Sequence, residues 1–219
     1  MKTTKILKPC SCIIIYLFLS TLMNIYIKSL INTTNFFLLN IVNLIAPLVI
    51  CIILILLNKN ELKNKFKDYK INFKKYLKIM IKYYLIGVLL MILSNNIIIL
   101  ILKSTAINES LNREIITKLP IYATISILFL GPISEELTFR ASFKKLFTNE
   151  FLFSIVTAVI FGLIHVLFNG DLLFAVPYAA LGFFFAKAYY QTNNILVSIT
   201  MHSFHNLLCL LLIFIGGLM

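Results

Sequence analysis

The chain has 219 residues, 60% of them hydrophobic and 13% charged, with 20 Lys and Arg against 8 Asp and Glu. A mean hydropathy of +0.96 excludes a soluble domain, which at this length needs a more polar surface to cover its core. The net charge of +12 would suggest nucleic acid in a soluble protein; beside long apolar runs it suggests basic loops held at one membrane face.

A bilayer core takes about 20 apolar residues per helix. Seven segments qualify in chain order: about 11–30, 36–57, 79–102, 119–139, 151–169, 172–190 and 194–217. Pro177 and Gly182 interrupt the sixth. Non-helical backbone would leave polar groups unpaired in lipid, so these segments are expected to be helices. The expected fold is therefore all-α: a polytopic transmembrane bundle of about seven spans, within a range of six to eight. Residues 1–118 form an amino-terminal membrane region with three spans, and 119–219 a helical core built from the last four.

Lysines set the orientation. Lys2, Lys5 and Lys8 precede the first segment, and nine lysines between Lys59 and Lys82 face only Glu61 and Asp68. Arg140, Lys144 and Lys145 follow the fourth segment, and Lys187 closes the sixth. All fall on one side, which the positive-inside bias makes cytoplasmic. The stretch from Lys103 to Lys118 is nearly balanced, and Asn169 to Asp171 has no lysine. The amino terminus is expected inside and, with seven spans, the carboxyl terminus outside. In residues 58–82, Phe66, Tyr69, Phe73 and Tyr76 recur every three or four residues among the lysines. That pattern predicts an amphipathic helix lying on anionic lipid. Membrane lipid is thus an expected partner, and nucleic acid is not.

The cysteines, Cys10, Cys12, Cys51 and Cys209, make no zinc pattern and read as small apolar residues, with acylation of Cys10 and Cys12 as an alternative. No small-residue cleavage site follows the first apolar run, so no cleavable signal peptide is expected. The Lys, Asn and Ile bias hints at an AT-rich bacterial genome, and a plasma-membrane location is expected.

Ionisable groups inside a membrane cost several kcal/mol and need a partner or a purpose. The first three segments have almost none in their middles. Glu135 and Glu136 follow Gly131 and Pro132 in an apolar run, His165 is deep in the fifth segment, and His202, His205 and Asn206 are in the seventh. All three histidines are thus intramembrane and in one half. Glu136 and Arg140, Phe161 and His165, and His202 and Asn206 are each at i and i+4, sharing a helical face. At about 1.5 Å per residue, each group lies about 10–20 Å from its cytoplasmic end. Three helices can therefore aim carboxylate, imidazole and amide into one polar cavity.

These elements, Glu135-Glu136-x-x-x-Arg140, Phe161-x-x-x-His165 and His202-x-x-x-Asn206, resemble in order the three motifs of the CAAX-protease and bacteriocin-processing (CPBP) intramembrane endopeptidases. The resemblance covers about residues 119–217. It implies hydrolysis of peptide bonds in membrane-associated proteins or peptides. Bacterial relatives are linked to peptide processing, bacteriocin immunity and surface-protein display, so a pheromone, a bacteriocin leader or an anchored surface protein are all candidate substrates.

Peptide hydrolysis needs an activated water and an oxyanion stabiliser. Glu135 is the expected base. Glu136 is the expected partner of Arg140, and its access to the reacting centre is left open. His165 would orient the water or bind a metal. His202 and Asn206 would donate to the oxyanion, although Asn in a membrane helix is also interhelical glue. His205 lies outside the motif and is expected to pack or to contact a neighbouring site residue. Phe161 is expected in the site wall. A metalloendopeptidase is the expected type and zinc the expected ion, with His165, His202 and Glu135 as its ligands and the other glutamate as the base; a metal-free glutamate mechanism uses the same residues. Two alternatives stand beside the peptidase: a non-enzymatic immunity or scaffold protein keeping these residues as structure, and a polar-cavity transporter. A transporter predicts binding groups in two related halves, whereas the polar groups here crowd into one.

Overall fold

The computed structural model describes residues 2–30, 35–167 and 170–216, with side chains of the first helix given for 7, 10–22 and 25. The side chains of Lys2, Lys5 and Lys8, and Asn169, lie outside this set. Among the described residues the chain is helical and contains no strand. The first helices are α1 (Lys2–Leu30), α2 (Phe36–Leu57), α3 (Lys59–Ile71), α4 (Phe73–Leu102) and α5 (Ile107–Lys118). Next comes α6, a continuous run over 120–141 made of Pro120–Ile125, a π-helical turn Ser126–Leu130, an α-helical piece Gly131–Glu136 and a second π-helical turn Leu137–Ala141. The last three are α7 (Glu150–Val166), α8 (Ala175–Thr192) and α9 (Ile195–Gly216).

Among the described residues four helical stretches are long and apolar enough to cross a membrane: Phe36–Leu57, Phe73–Leu102, Leu172–Thr192 and Ile195–Gly216. The apolar parts of α1 (Cys10–Leu22) and α7 (Glu150–Val166) are shorter, and α6 runs on through its two π turns. Large apolar side chains face outward throughout, Leu100 at 77% and Leu212 at 69% exposure. Outward apolar surface on this scale belongs to a protein solvated by lipid. The protein is a multi-pass membrane protein.

Helix ends are held by local chemistry. Asn35 and Asn149 cap α2 and α7, accepting from Leu38 N at 3.0 Å and Leu152 N at 2.9 Å, as short polar side chains do at N-termini. Buried Asn40 reaches from α2 to accept the amide of Tyr122 at 3.0 Å, filling one of the unpaired donors that open α6. Pro177 falls in the first turn of α8, where its missing N–H costs nothing. The expected sixth span therefore runs unbroken.

Small residues let α7 and α8 approach closely. A Cβ at Gly162 would lie 2.4 Å from the carbonyl oxygen of Ala175, so only glycine permits this crossing. Two expectations change. Within the 103–118 connection Ile107–Lys118 form a helix, α5, whose exposed face carries the i,i+4 pair Arg113–Glu109 at 2.8 Å. The four aromatics of 58–82 do not share one lipid-facing stripe. Asn72 separates α3 from α4, Tyr76 is buried, and Tyr69 bonds Thr200 of α9 at 3.0 Å. Phe66 and Phe73 stay exposed.

Candidate active site

The site is built on α6. Pro132 has no N–H to give, and Gly131 N–H bonds the carbonyl of Ser126, five residues back. In that register Pro132 would be the backbone donor to Ile127. The carbonyl of Ile127 is instead met by the side-chain amide of Asn206 on α9, at 2.8 Å. The π turn is thus a consequence of the Gly-Pro pair, and Asn206 satisfies the carbonyl it frees, as a buried polar group in lipid demands.

Glu136 is fully buried and accepts three hydrogen bonds, with both of its oxygens engaged. Oε1 accepts from Arg140 Nη1 at 2.9 Å and from His202 Nδ1 at 3.0 Å, and Oε2 accepts from Ser198. Arg140, also fully buried, rests its guanidinium 4.1 Å from the ring centroid of Phe161. Its Nη2 lies 3.4 Å from the carbonyl of Gly182. A Cβ on Gly182 would stand 2.9 Å from that nitrogen and 3.0 Å from the Phe161 ring, so glycine is required for the arginine to lie flat.

Glu135, one residue earlier, points about 100° away around the helix. Its Oε1 accepts from the hydroxyl of Tyr16 at 3.3 Å. Its Oε2 is buried without a hydrogen-bond partner among the described residues. This oxygen faces Nε2 of His165 at 3.8 Å and Nε2 of His202 at 3.9 Å. Both rings are oriented from behind. His165 Nδ1 lies 2.7 Å from the carbonyl of Phe161, and a carbonyl only accepts, so the proton is on Nδ1. His202 Nδ1 faces the Glu136 carboxylate in the same way. In the neutral rings both Nε2 atoms present lone pairs, so three acceptors converge where no described residue donates.

Glu135, Glu136, His165 and His202 are therefore brought together, with Arg140 and Phe161 behind them. Asn206 shares the α9 face with His202 but spends one amide hydrogen on Ile127. His205 points elsewhere, bonding Tyr84 at 3.2 Å through Nδ1 and approaching Cys209 Sγ at 3.5 Å through Nε2. Three partners escaped the motif reading. Ser198 was legible, being one turn before His202 on the same face. Tyr178 stacks on His165 with centroids 4.6 Å apart and accepts from Asn108 of α5 at 3.0 Å. Tyr16 comes from α1, packed edge-on to Phe139 at 5.3 Å. No local pattern marks either tyrosine.

The donor types also suit a His₂-carboxylate zinc site. Two zinc bonds of about 2.0–2.2 Å at a tetrahedral angle span about 3.4 Å, less than the 3.8 and 3.9 Å observed. Among the described residues no group of three His, Cys, Asp or Glu closes to metal-binding distance. Two hydrogen bonds of about 2.8 Å to one water at the same angle span about 4.6 Å, so the observed gaps fall between those of a zinc-bound pair and a water-bridged pair.

Residues 117–208 match the family model described as type II CAAX prenyl endopeptidase Rce1-like. The chain is 32% identical over 132 residues to the UPF0177 protein YxdF of Lactococcus lactis, covering 57% of this chain and 73% of that protein. The chain belongs to the CPBP family. A second relative in sequence is the Bacillus subtilis protein named "Putative membrane peptidase YdiL", 36% identical over 98 residues, covering 42% of this chain and 37% of that one. A third, from Mycoplasma capricolum and named uncharacterized, is 31% identical over 170 residues, or 70% of this chain and 49% of that one. The chain thus spans less than half of two of these three relatives. No solved structure matches it. Every motif residue of this CPBP protein lies inside the matched stretch, and Tyr16 lies outside it.

Proposed function

We propose that this CPBP protein is an intramembrane endopeptidase in which Glu135 activates water. The observation that carries the reading is the buried, unpartnered Oε2 of Glu135 facing two imidazole nitrogens at 3.8 and 3.9 Å. A water placed there gives one proton toward Glu135 and the other to an imidazole, leaving an oxygen lone pair for the scissile carbonyl. Glu135 takes the proton as the oxygen attacks, and returns it to the departing amine as the tetrahedral intermediate collapses. His165, held through Nδ1 and stacked on Tyr178, keeps the water in line. Asn206 retains one amide hydrogen and is the proposed oxyanion donor, while His202, held through Nδ1 by Glu136, shares the water with His165. Glu136 with Arg140 and Ser198 fixes His202 and stays out of the reaction.

The site is reached from lipid, so the substrates are membrane-anchored proteins or peptides, cut in the half of the bilayer nearer the basic, cytoplasmic face. Residues 119–219 form the catalytic unit, in the plasma membrane of a bacterium, and bacteriocin immunity or peptide processing is the proposed setting. The test compares membranes from cells carrying the wild type, Glu135→Gln and His165→Ala at equal abundance. Newly formed peptide termini are mapped by mass spectrometry. Termini specific to the wild type should vanish in both variants. Identical termini in all three would sink the peptidase reading and leave the immunity or scaffold alternative.

A further inference from the structure

Away from Glu135, a cleft of about 730 Å³ opens where the α2–α3 junction meets the turn at Lys144–Leu146 and the α8–α9 connection. Lys59, Lys65, Lys145 and Asn193 line it, with Leu56 and Leu57 on one wall. Glu61 is the one acid among its lining residues, and it stands 4.0 Å from Lys145.

A fourth cation is built in at the edge. Lys144 Nζ bonds Asn193 Oδ1 at 2.7 Å and lies 4.5 Å and 5.0 Å above the rings of Tyr189 and Tyr190. Burial lowers its pKa to about 8, and the nearby charge of Lys65 adds to that. Four ammonium groups around one carboxylate leave positive charge uncompensated. The backbone beneath is rigid, since buried Asn194 bonds the carbonyl of Lys65 at 2.8 Å.

The wall decides which anion fits. Leu56 and Leu57, 61% and 50% exposed, end α2 and continue the outward apolar row of Leu48, Ile52 and Ile55. A ligand seated here meets ammonium groups at one end and a lipid-facing helix at the other. A free phosphate uses only the first. We propose that this cleft is a binding site for the phosphate headgroup of an anionic phospholipid, with its acyl chains against α2. The site is independent of the peptidase reading.

The test uses the full chain purified in detergent and titrated with phosphatidylglycerol, followed by native mass spectrometry. One lipid should bind preferentially, and phosphatidylcholine should not replace it. Lys65→Ala with Lys145→Ala should weaken binding by about tenfold or more, the scale of two lysines at an anionic surface. Lys74→Ala with Lys78→Ala, a control pair outside the cleft, should bind as the wild type does. If Lys65→Ala lowers the melting temperature without lipid, Lys59→Ala with Lys145→Ala replaces it. Equal weakening by both pairs, or equal binding of phosphatidylcholine, overturns the proposal. So does inorganic phosphate stabilising the protein as much as phosphatidylglycerol does, which would reassign the cleft to a soluble anion.

Discussion

The hydroxyl of Tyr16 donates to Glu135 Oε1 at 3.3 Å, across 119 residues of chain. The carboxylate is thereby held from one side while its other oxygen faces the histidines. Tyr16→Phe keeps the ring and its packing on Phe139 while removing the hydrogen bond. The expected outcome is a fall in turnover of about tenfold or more, the scale of one hydrogen bond to a charged group. KM and membrane abundance should stay unchanged. Initial rates in proteoliposomes, on a substrate identified by the terminus mapping, check this.

Glu136 and Arg140 form a pair with both side chains at 0% exposure. Removing one partner strands the other's charge, at a cost of about 3–5 kcal/mol. Arg140→Met should therefore lower the melting temperature sharply, and Glu136→Gln with Arg140→Met should recover much of the loss. With the exposed Cys10 and Cys209 replaced by Ser in every variant, the buried Cys51 allows thermal unfolding to be followed with a thiol-reactive dye. Equal destabilisation by the single and double changes would show that packing, not charge, dominates.

Asp68 ties α3 to the rest of the bundle. It accepts from Tyr76 at 2.7 Å, Asn194 at 2.8 Å and Asn72 at 2.7 Å. These bonds, that from Tyr76 foremost, hold its pKa below the ordinary 3.8. A depressed carboxylate contributes stability that is present above its unfolded pKa and is lost as pH falls through the folded one. Asp68→Asn should thus be less stable than the wild type at neutral pH. The gap should close as pH drops below about 4. Melting temperatures of both proteins across pH 3–7, on the scale of carboxylate titration, read this directly (about four units in all).

The gaps of 3.8 and 3.9 Å around Glu135 Oε2 fall between the spans of a zinc-bound and a water-bridged pair, so chelation separates the two. With Glu135 as the base of a metal-free site, turnover survives prolonged chelation of divalent ions and added zinc does not raise it. Activity lost to a chelator and restored by zinc alone would mean that Glu135, His165 and His202 draw together around an ion.

Much of this molecule is written in local pattern. Apolar length and lysine placement announce helices in lipid, because hydrocarbon offers no partner for a bare backbone or a charge. The i,i+4 spacing of Glu136 with Arg140 and of His202 with Asn206 is a property of any helix, and both pairs lie on the faces that spacing predicts. Glu135 and Glu136 have opposite fates for the same reason, since neighbours on a helix look in different directions. Other features carried no local mark. That Asn206 serves the carbonyl freed by Pro132 depends on how α9 lies against α6.

Sequence alone thus determined the helical membrane embedding and the cast of polar residues, since each follows from spacing within one helix or from the cost of polarity in lipid. Only the tertiary structure decided that Tyr16 of α1 grips Glu135, that Tyr178 backs His165 and that His205 turns away toward Tyr84. Those outcomes depend on how distant helices rotate and cross, set by contacts such as Gly162 on Ala175 and Gly182 beneath Arg140. No window of sequence contains both sides of such a contact.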